Sequence, residues 1–225
     1  MATESSDIRT HADSDLPLRE RKKQRTRRAL ADTALELFSE RGFDRVTLEE
    51  LTARAEIGRS TFFRYYGAKE DVAMAAEGEL WDAYTTHFER HTARGPALDA
   101  LRSSLTAAIL SMPDDWDQRF LRTRRLAAGT PVLHDHSLVS SMKVQQRLVE
   151  ILEGSLGADG REDVRLRLLG EFTLSAWRCG ARNWVAGRGP GGYDRRRGHG
   201  GTRTLASRVE EAFDAIPASL ALDLP

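Results

Sequence analysis

A single cysteine, Cys179, is all the chain carries, so no internal disulfide framework can staple it. There is no run of eighteen or more apolar residues, and none is predicted to span a membrane. The opening stretch MATESSDIRTHADSDLPL lacks the apolar core of a secretion signal, and its polar composition predicts a disordered tail over residues 1–18. Neither a Gly-x-Ser-x-Gly turn nor a His-Glu-x-x-His helix is present, which leaves an enzyme without a named nucleophile or base. Alternating strand patterns and fixed-period repeats are missing too. These absences predict a soluble, cytoplasmic, all-α protein that is not an enzyme. With 225 residues and 40% apolar content, it has material for one core, or for a small module joined to a larger one.

Net charge is also lacking: 34 Lys and Arg balance 34 Asp and Glu. The balance is uneven along the chain. Residues 19–70 hold thirteen basic and nine acidic residues, and RERKKQRTRR, Arg19 to Arg28, holds seven basic and one acidic. A basic run just before a helix is the footprint of a nucleic-acid contact, or of a solvated helix start.

What is present reads as helix nearly throughout. Leu30, Ala34, Leu37 and Phe38 share one face, and Gly42 marks a stop. Thr47 and Glu50 form a capping box opening a two-turn helix with Leu48, Leu51 and Ala55 inward. Gly58 is expected to take an unusual backbone angle, and a short helix, Arg59 to Tyr66, stops at Gly67. A long helix is predicted from Lys69 to His91. Further helices are predicted from Pro96 to Met112, from Asp114 or Asp115 to Ala128, from Pro131 to Leu156, from Arg161 to Ala186, and from Thr204 to Ala215, ending before Pro217. GRGPGGYDRRRGHGGTR, Gly187 to Arg203, has seven glycines and five arginines in seventeen residues and predicts a flexible loop. Its glycines do not make a phosphate loop, because the Gly-Lys-Ser/Thr ending and a preceding strand are missing.

Two short helices around a tight turn, braced by a third, make a helix-turn-helix whose second helix can enter a DNA major groove. Phe62 and Tyr66, four apart, are predicted to face the small core. Arg59, Ser60, Thr61, Phe63, Arg64 and Tyr65 are left for the outside. Arg can read guanine edges, Thr and Phe can touch a thymine methyl, and hydroxyls can grip phosphates. Arg25 and Arg28 of the basic run are expected near the DNA backbone, as is Lys69, where the next helix begins.

The segment ALELFSERGFDRVTLEELTARAEIGRSTFFRYYGAKEDV resembles the N-terminal domain of the tetracycline-repressor-like (TetR/AcrR) regulators over about residues 25–75. Leu37-Phe38, Gly42-Phe43, Thr47, Ile57-Gly58, Thr61, Phe63, Tyr66 and Lys69 carry the resemblance. It implies DNA contacts from Thr47, Arg59, Ser60, Thr61, Phe63, Tyr65 and Lys69, and an all-helical homodimer with a three-helix reading domain over residues 19–70. A ligand-binding and dimerisation domain would follow over 71–225, for about nine helices in all. Phe63 stands where the family usually has Tyr, and Ala68 where it has a capping Ser or Asn.

In VRLRLLGEFTLSAWRCGARNWVAG apolar residues fall on two sides, Leu168, Phe172 and Ala176 on one and Leu174, Trp177, Ala181 and Trp184 on another, so the helix is predicted to be buried twice. Leu174, Ala176, Gly180, Ala181, Trp184 and Phe213 are the candidates for a dimer interface, or for the core of a monomer. Trp81, Tyr84, Phe88, Trp116, Phe120 and Trp177, with Arg124 and Arg178, are the candidates for an effector pocket. The stretch RRLAAGTPVLHDH, Arg124 to His136, resembles regulators grouped with the mycofactocin regulator, which implies an acyl-CoA-like effector.

His87 and His91, four apart, and the nearby His134 and His136 lack the Cys or carboxylate set that would complete a zinc site, so no metal or cofactor is expected. Cys179 is expected to be a small buried apolar residue. The predicted function is a ligand-responsive regulator, a repressor released from a pseudo-palindromic double-stranded operator by a small apolar or amphipathic effector. A helical carrier with a non-functional DNA module, or an enzyme using the helical pocket, stays open on sequence alone.

Overall fold

The structure is a computed structural model that describes residues 18–90, 95–189, 192–193 and 200–223. It is helical, as the sequence predicts. The described residues form ten helices, and they divide into two compact units, Met1–Ala75 and Ala76–Pro225. Nearly all of the predicted tail, together with His91 and about half of the Gly/Arg-rich loop, lies outside the described residues.

The first unit holds α1 (Leu18–Arg41), α2 (Leu48–Arg54), α3 (Arg59–Tyr65) and α4 (Lys69–Ala73). The basic run does not precede α1 as expected; it forms the first half of that helix. Lys, Arg and Gln are good helix formers, so charge there does not prevent helix formation. Gly42, at φ 84°, closes α1 by donating its N–H to the Phe38 carbonyl at 2.9 Å. Leu30, Ala34, Leu37 and Phe38 are buried with Phe43, Val46, Leu51, Phe62 and Tyr66. Helices α2 and α3 have seven residues each, too short to persist alone, so this shared core holds them.

The turn between α2 and α3 corrects one expectation. Gly58 has an ordinary φ of −80°, and the left-handed residue is Glu56, at φ 53°. Its N–H reaches the Ala53 carbonyl at 3.1 Å, and the Ile57 N–H reaches the Thr52 carbonyl at 3.0 Å, a Schellman closure. That geometry suits glycine and strains an L-residue. Glu56→Gly is therefore expected to raise the stability of this unit by about 0.5–1 kcal/mol. A thermal melt with no rise in midpoint would count against the strain.

The second unit holds α5 (Ala75–Glu89), α6 (Ala97–Ser111), α7 (Trp116–Ala128), α8 (Pro131–Leu156), α9 (Val164–Val185) and α10 (Gly201–Leu220). The helix predicted from Lys69 to His91 is interrupted at Met74, giving α4 and α5. No Gly or Pro causes the break. The five residues Val72 to Ala76 are all buried, more than one helix face can supply, and tertiary surroundings override propensity. The last helix continues through Pro217 instead of ending before it. Pro217 is exposed in the final turn, where it removes one hydrogen bond and leaves the rest of the helix intact. Two strands of two residues, β1 (Arg188–Gly189) and β2 (Gly192–Tyr193), pair antiparallel inside the segment predicted as loop.

The core of this unit is aromatic. Trp81 and Trp177 meet edge to face at 5.3 Å, Phe120 meets Trp177 at 5.9 Å, and Trp116 stacks on Phe120 at 4.8 Å. Such pairs add about 0.5–1.5 kcal/mol each beyond their burial. Helix α9 is central, packing on α8 and α6 and most closely on α10.

Candidate DNA-reading face and effector cavity

The reading face starts from the capping box. The Glu50 N–H donates to Thr47 Oγ1 at 3.2 Å and the Thr47 N–H donates to Glu50 Oε2 at 2.9 Å. Arg41 Nη2 donates to Glu50 Oε1 at 2.8 Å, tying α2 to the end of α1. The Thr47 backbone hydrogen bond, then Arg41, holds the Glu50 carboxyl below its usual range. The start of α2 is thus fixed, and α3 follows from it.

On α3, Phe62 is fully buried and Tyr66 just beyond it is 4% exposed. The Tyr66 hydroxyl donates to the Arg27 carbonyl at 3.0 Å, and the Arg27 guanidinium lies over the Tyr66 ring. Arg59, Ser60, Phe63 and Arg64 are exposed, and Thr61 and Tyr65 are half-buried. Phe63, 50% exposed, rests edge-on against Phe62. Arg59 Nη1 donates to Glu49 Oε1 at 2.6 Å, and Arg64 stacks over Tyr65. On α1, Arg25 is exposed and Arg28 half-buried.

Lys69, expected at the phosphate backbone, is engaged inside the domain. Its ammonium donates to the Phe43 and Val46 carbonyls at 3.0 and 2.9 Å and sits 4.1 Å from the Phe43 ring centre. Two of its three protons brace the loop between α1 and α2. Ala68 has no side-chain oxygen, so only the reverse half of a cap forms at α4, from the Ala68 N–H to Asp71 Oδ2 at 2.9 Å.

In the second unit a cavity of about 370 Å³ opens among α5, α7, α8 and α9. Of the eight pocket candidates, Phe120, Arg124, Trp177 and Arg178 line it. Trp81, Tyr84, Phe88 and Trp116 do not; they are packed into the core. The Tyr84 hydroxyl is buried there, which pushes its pKa up well beyond the usual phenol range. Residues the sequence reading missed complete the cavity: Glu77 from α5, His134, Ser137, Leu138 and Ser141 from α8, and Arg182 and Val185 from α9. Arg124 Nη1 donates to Glu77 Oε2 at 3.0 Å and to Ser137 Oγ at 3.1 Å, and Ser137 Oγ lies 2.8 Å from Glu77 Oε1. Trp81 Nε1 adds a longer bond to Glu77 Oε1 at 3.4 Å. Beside this network, Arg119 clamps Glu79 through two bonds of 2.8 Å, so α7 holds both carboxylates of early α5.

The six interface candidates Leu174, Ala176, Gly180, Ala181, Trp184 and Phe213 are all buried within the single chain; Ala176 also lines the outward groove of α9 and α10, while the assignment of the other five, which do not, is corrected. Gly180 does permit close approach, but to Arg208 and Val209 of its own α10. The outward side of α9 and α10 is a groove that includes Phe172, Ala212, Ile216 and Leu220. Cys179 lines this groove and is exposed, not buried, because it points away from the core. Among the described residues, no group of three or more His, Cys, Asp or Glu could hold a metal ion, and no helix is long and apolar enough to cross a membrane.

Residues 30–76 match the family model of bacterial regulatory proteins, tetR family. The chain is 29% identical over 172 residues to the HTH-type transcriptional regulator TcmR of Streptomyces glaucescens, covering 74% of this chain and 76% of that protein. It is 29% identical over 124 residues to MftR of Mycobacterium tuberculosis, whose name assigns it to regulation of mycofactocin biosynthesis, covering 52% of this chain and 59% of that protein. A solved regulator of the TerR/AcrR family from Aquifex aeolicus VF5 superposes with a TM-score of 0.48 at 13% identity, over 85% of this chain and 99% of that one. Residues 30–76 thus form a DNA-binding domain of the tetR family of bacterial regulatory proteins, and the protein is a DNA-binding transcriptional regulator.

Proposed function

We propose that the protein is a repressor, not an enzyme, acting in the cytoplasm as a homodimer on a pseudo-palindromic operator. A small effector entering the α7–α8–α9 cavity releases it. The observation that carries the DNA-reading assignment is the division of α3, with Phe62 locked inside and Arg59, Ser60, Phe63 and Arg64 outside. Arg59 reads a base edge by exchanging Glu49 for a guanine. Both side chains of that ion pair are 62% exposed, so it contributes at most about 1 kcal/mol and yields readily. Thr47, Ser60, Thr61, Phe63, Arg64 and Tyr65 complete the contact, with Arg25 and Arg28 along the phosphates. Lys69 adds its one remaining proton.

The groove that includes Phe172, Cys179, Ile216 and Leu220 supplies the second subunit's seat, since an apolar face of two antiparallel helices suits a two-fold partner. The two reading helices then sit about 34–36 Å apart in successive major grooves. The effector needs only a differential affinity of about 1–3 kcal/mol between the two states.

Operator fragments recovered by protection mapping of the upstream region provide the test. Arg59→Ala or Thr61→Ala is expected to cost about 1–3 kcal/mol of specific binding while leaving non-specific binding nearly unchanged. Titration at two salt concentrations separates the two terms. Unaltered specific affinity in both variants would defeat the assignment, and absence of any salt-sensitive specific complex would favour a carrier.

A further inference from the structure

The charge lining the effector cavity is mostly of one sign. Arg124, Arg178 and Arg182 line it against one carboxylate, Glu77. Glu77 is 4% exposed, and Arg124, Ser137 and Trp81 already supply its hydrogen bonds. Arg124 is therefore neutralised from within. Arg178 and Arg182, four apart on α9, lie on one face of that helix and are exposed. Arg178 Nε donates to the Leu174 carbonyl, and among the described residues neither guanidinium has a carboxylate partner. The apolar part of the lining includes the rings of Phe120 and Trp177, 5.9 Å apart.

We propose that this cavity takes an amphipathic anion, with its apolar body against Phe120 and Trp177 and its acidic group held by Arg178 and Arg182. The proposal rests on the reading above that an effector enters here. Guanidinium groups recognise carboxylate, sulfonate and phosphate with paired N–H donors, and a cleft with low-dielectric walls strengthens that attraction. Glu77 and Arg124 cancel one another, so their end of the cavity offers an acid no net charge, and the ligand is oriented with its charge toward Arg178 and Arg182 on α9. A cationic effector would meet two unneutralised guanidiniums. At about 370 Å³ the cavity is at the small end of ligand sites, so it fits a compact acid and does not enclose a whole coenzyme A thioester.

The test uses two dyes on the full chain, followed by fluorescence: 1-anilinonaphthalene-8-sulfonate, and N-phenyl-1-naphthylamine, which has the same rings without the sulfonate. The sulfonate is expected to bind about ten-fold tighter or more. The Arg178→Gln/Arg182→Gln double variant should erase that preference while leaving the uncharged dye within about two-fold of its original affinity. Ala128→Phe, at the exposed edge of the cavity, should weaken both dyes. Equal or tighter binding of the uncharged dye, a preference that survives the double variant, or indifference to Ala128→Phe would each overturn the proposal. Operator binding tells its failure from that of the effector reading. If the sulfonate binds as expected and operator affinity does not move, the anion site stands and the effector reading fails. If an uncharged effector displaces both dyes and releases the operator, the effector reading stands and the anion site falls.

Discussion

Trp116→Ala lowers the stability of the C-terminal unit by about 3–5 kcal/mol, the range of a fully buried aromatic truncation. Trp116 is fully buried, stacked on Phe120 at 4.8 Å, and its indole N–H donates to the Ala76 carbonyl at 2.8 Å. Truncation removes the apolar burial, leaves a void in a close-packed interior and deletes a buried hydrogen bond, and the three costs add. In urea, with a slope of about 2 kcal/mol per molar, the unfolding midpoint should fall by roughly 2 M. Trp116→Phe keeps the stack and loses only the hydrogen bond and part of the volume, so it should fall between the two. A midpoint that moves by less than about 0.5 M in the alanine variant would show that this ring is not the keystone its burial implies.

Gly180→Ala and Gly78→Ala are expected to change stability in opposite directions. Both glycines lie inside helices, where alanine is ordinarily better by up to about 1 kcal/mol. A Cβ on Gly78 would meet open space, so the helix preference should show and the protein should gain stability. A Cβ on Gly180 would stand 2.7 Å from the Arg208 carbonyl oxygen, 2.7 Å from Val209 Cα and 2.8 Å from Val209 N. All three are backbone atoms and cannot rotate aside, so α10 must move as a body and loosen its packing on α9. The net loss should be about 2–3 kcal/mol, the upper end of overpacking. Thermal melts of the pair provide the check, and a gain in both variants would mean that α9 and α10 are not in the contact described.

How much of this was legible in the sequence depends on how local each feature is. The capping box of Thr47 and Glu50, the stop at Gly42 and the inward pair Phe62 and Tyr66 are set by residues within four positions of one another, and the structure agrees at each. The break at Met74 and the left-handed Glu56 carry no such local mark. The first follows from burial on all sides, and the second from a Schellman closure that placed strain two residues before the expected glycine. Pro217 misled in the opposite sense, because a proline in an exposed last turn costs little. Aromatic residues were the hardest to place. Trp81, Tyr84 and Trp116 look the same along the chain as Phe120 and Trp177, and only the assembled helices decide which line a cavity and which fill a core. Gly180 was rightly expected to permit close approach, but its neighbour belongs to the same chain. Two signals for the cavity went unused: Glu77 stands among buried alanines with Trp81 four residues on, and Arg182 repeats Arg178 one turn later.

The architecture of α3 bears on how this regulator can change over generations. One of its seven side chains, Phe62, is committed to the interior, and its exposed positions carry little folding energy. Substitutions at Arg59, Ser60, Phe63 or Arg64 can therefore drift without threatening the scaffold. A lineage that inherits this domain can acquire new target sequences one base contact at a time while the rest of the molecule stays under selection for stability.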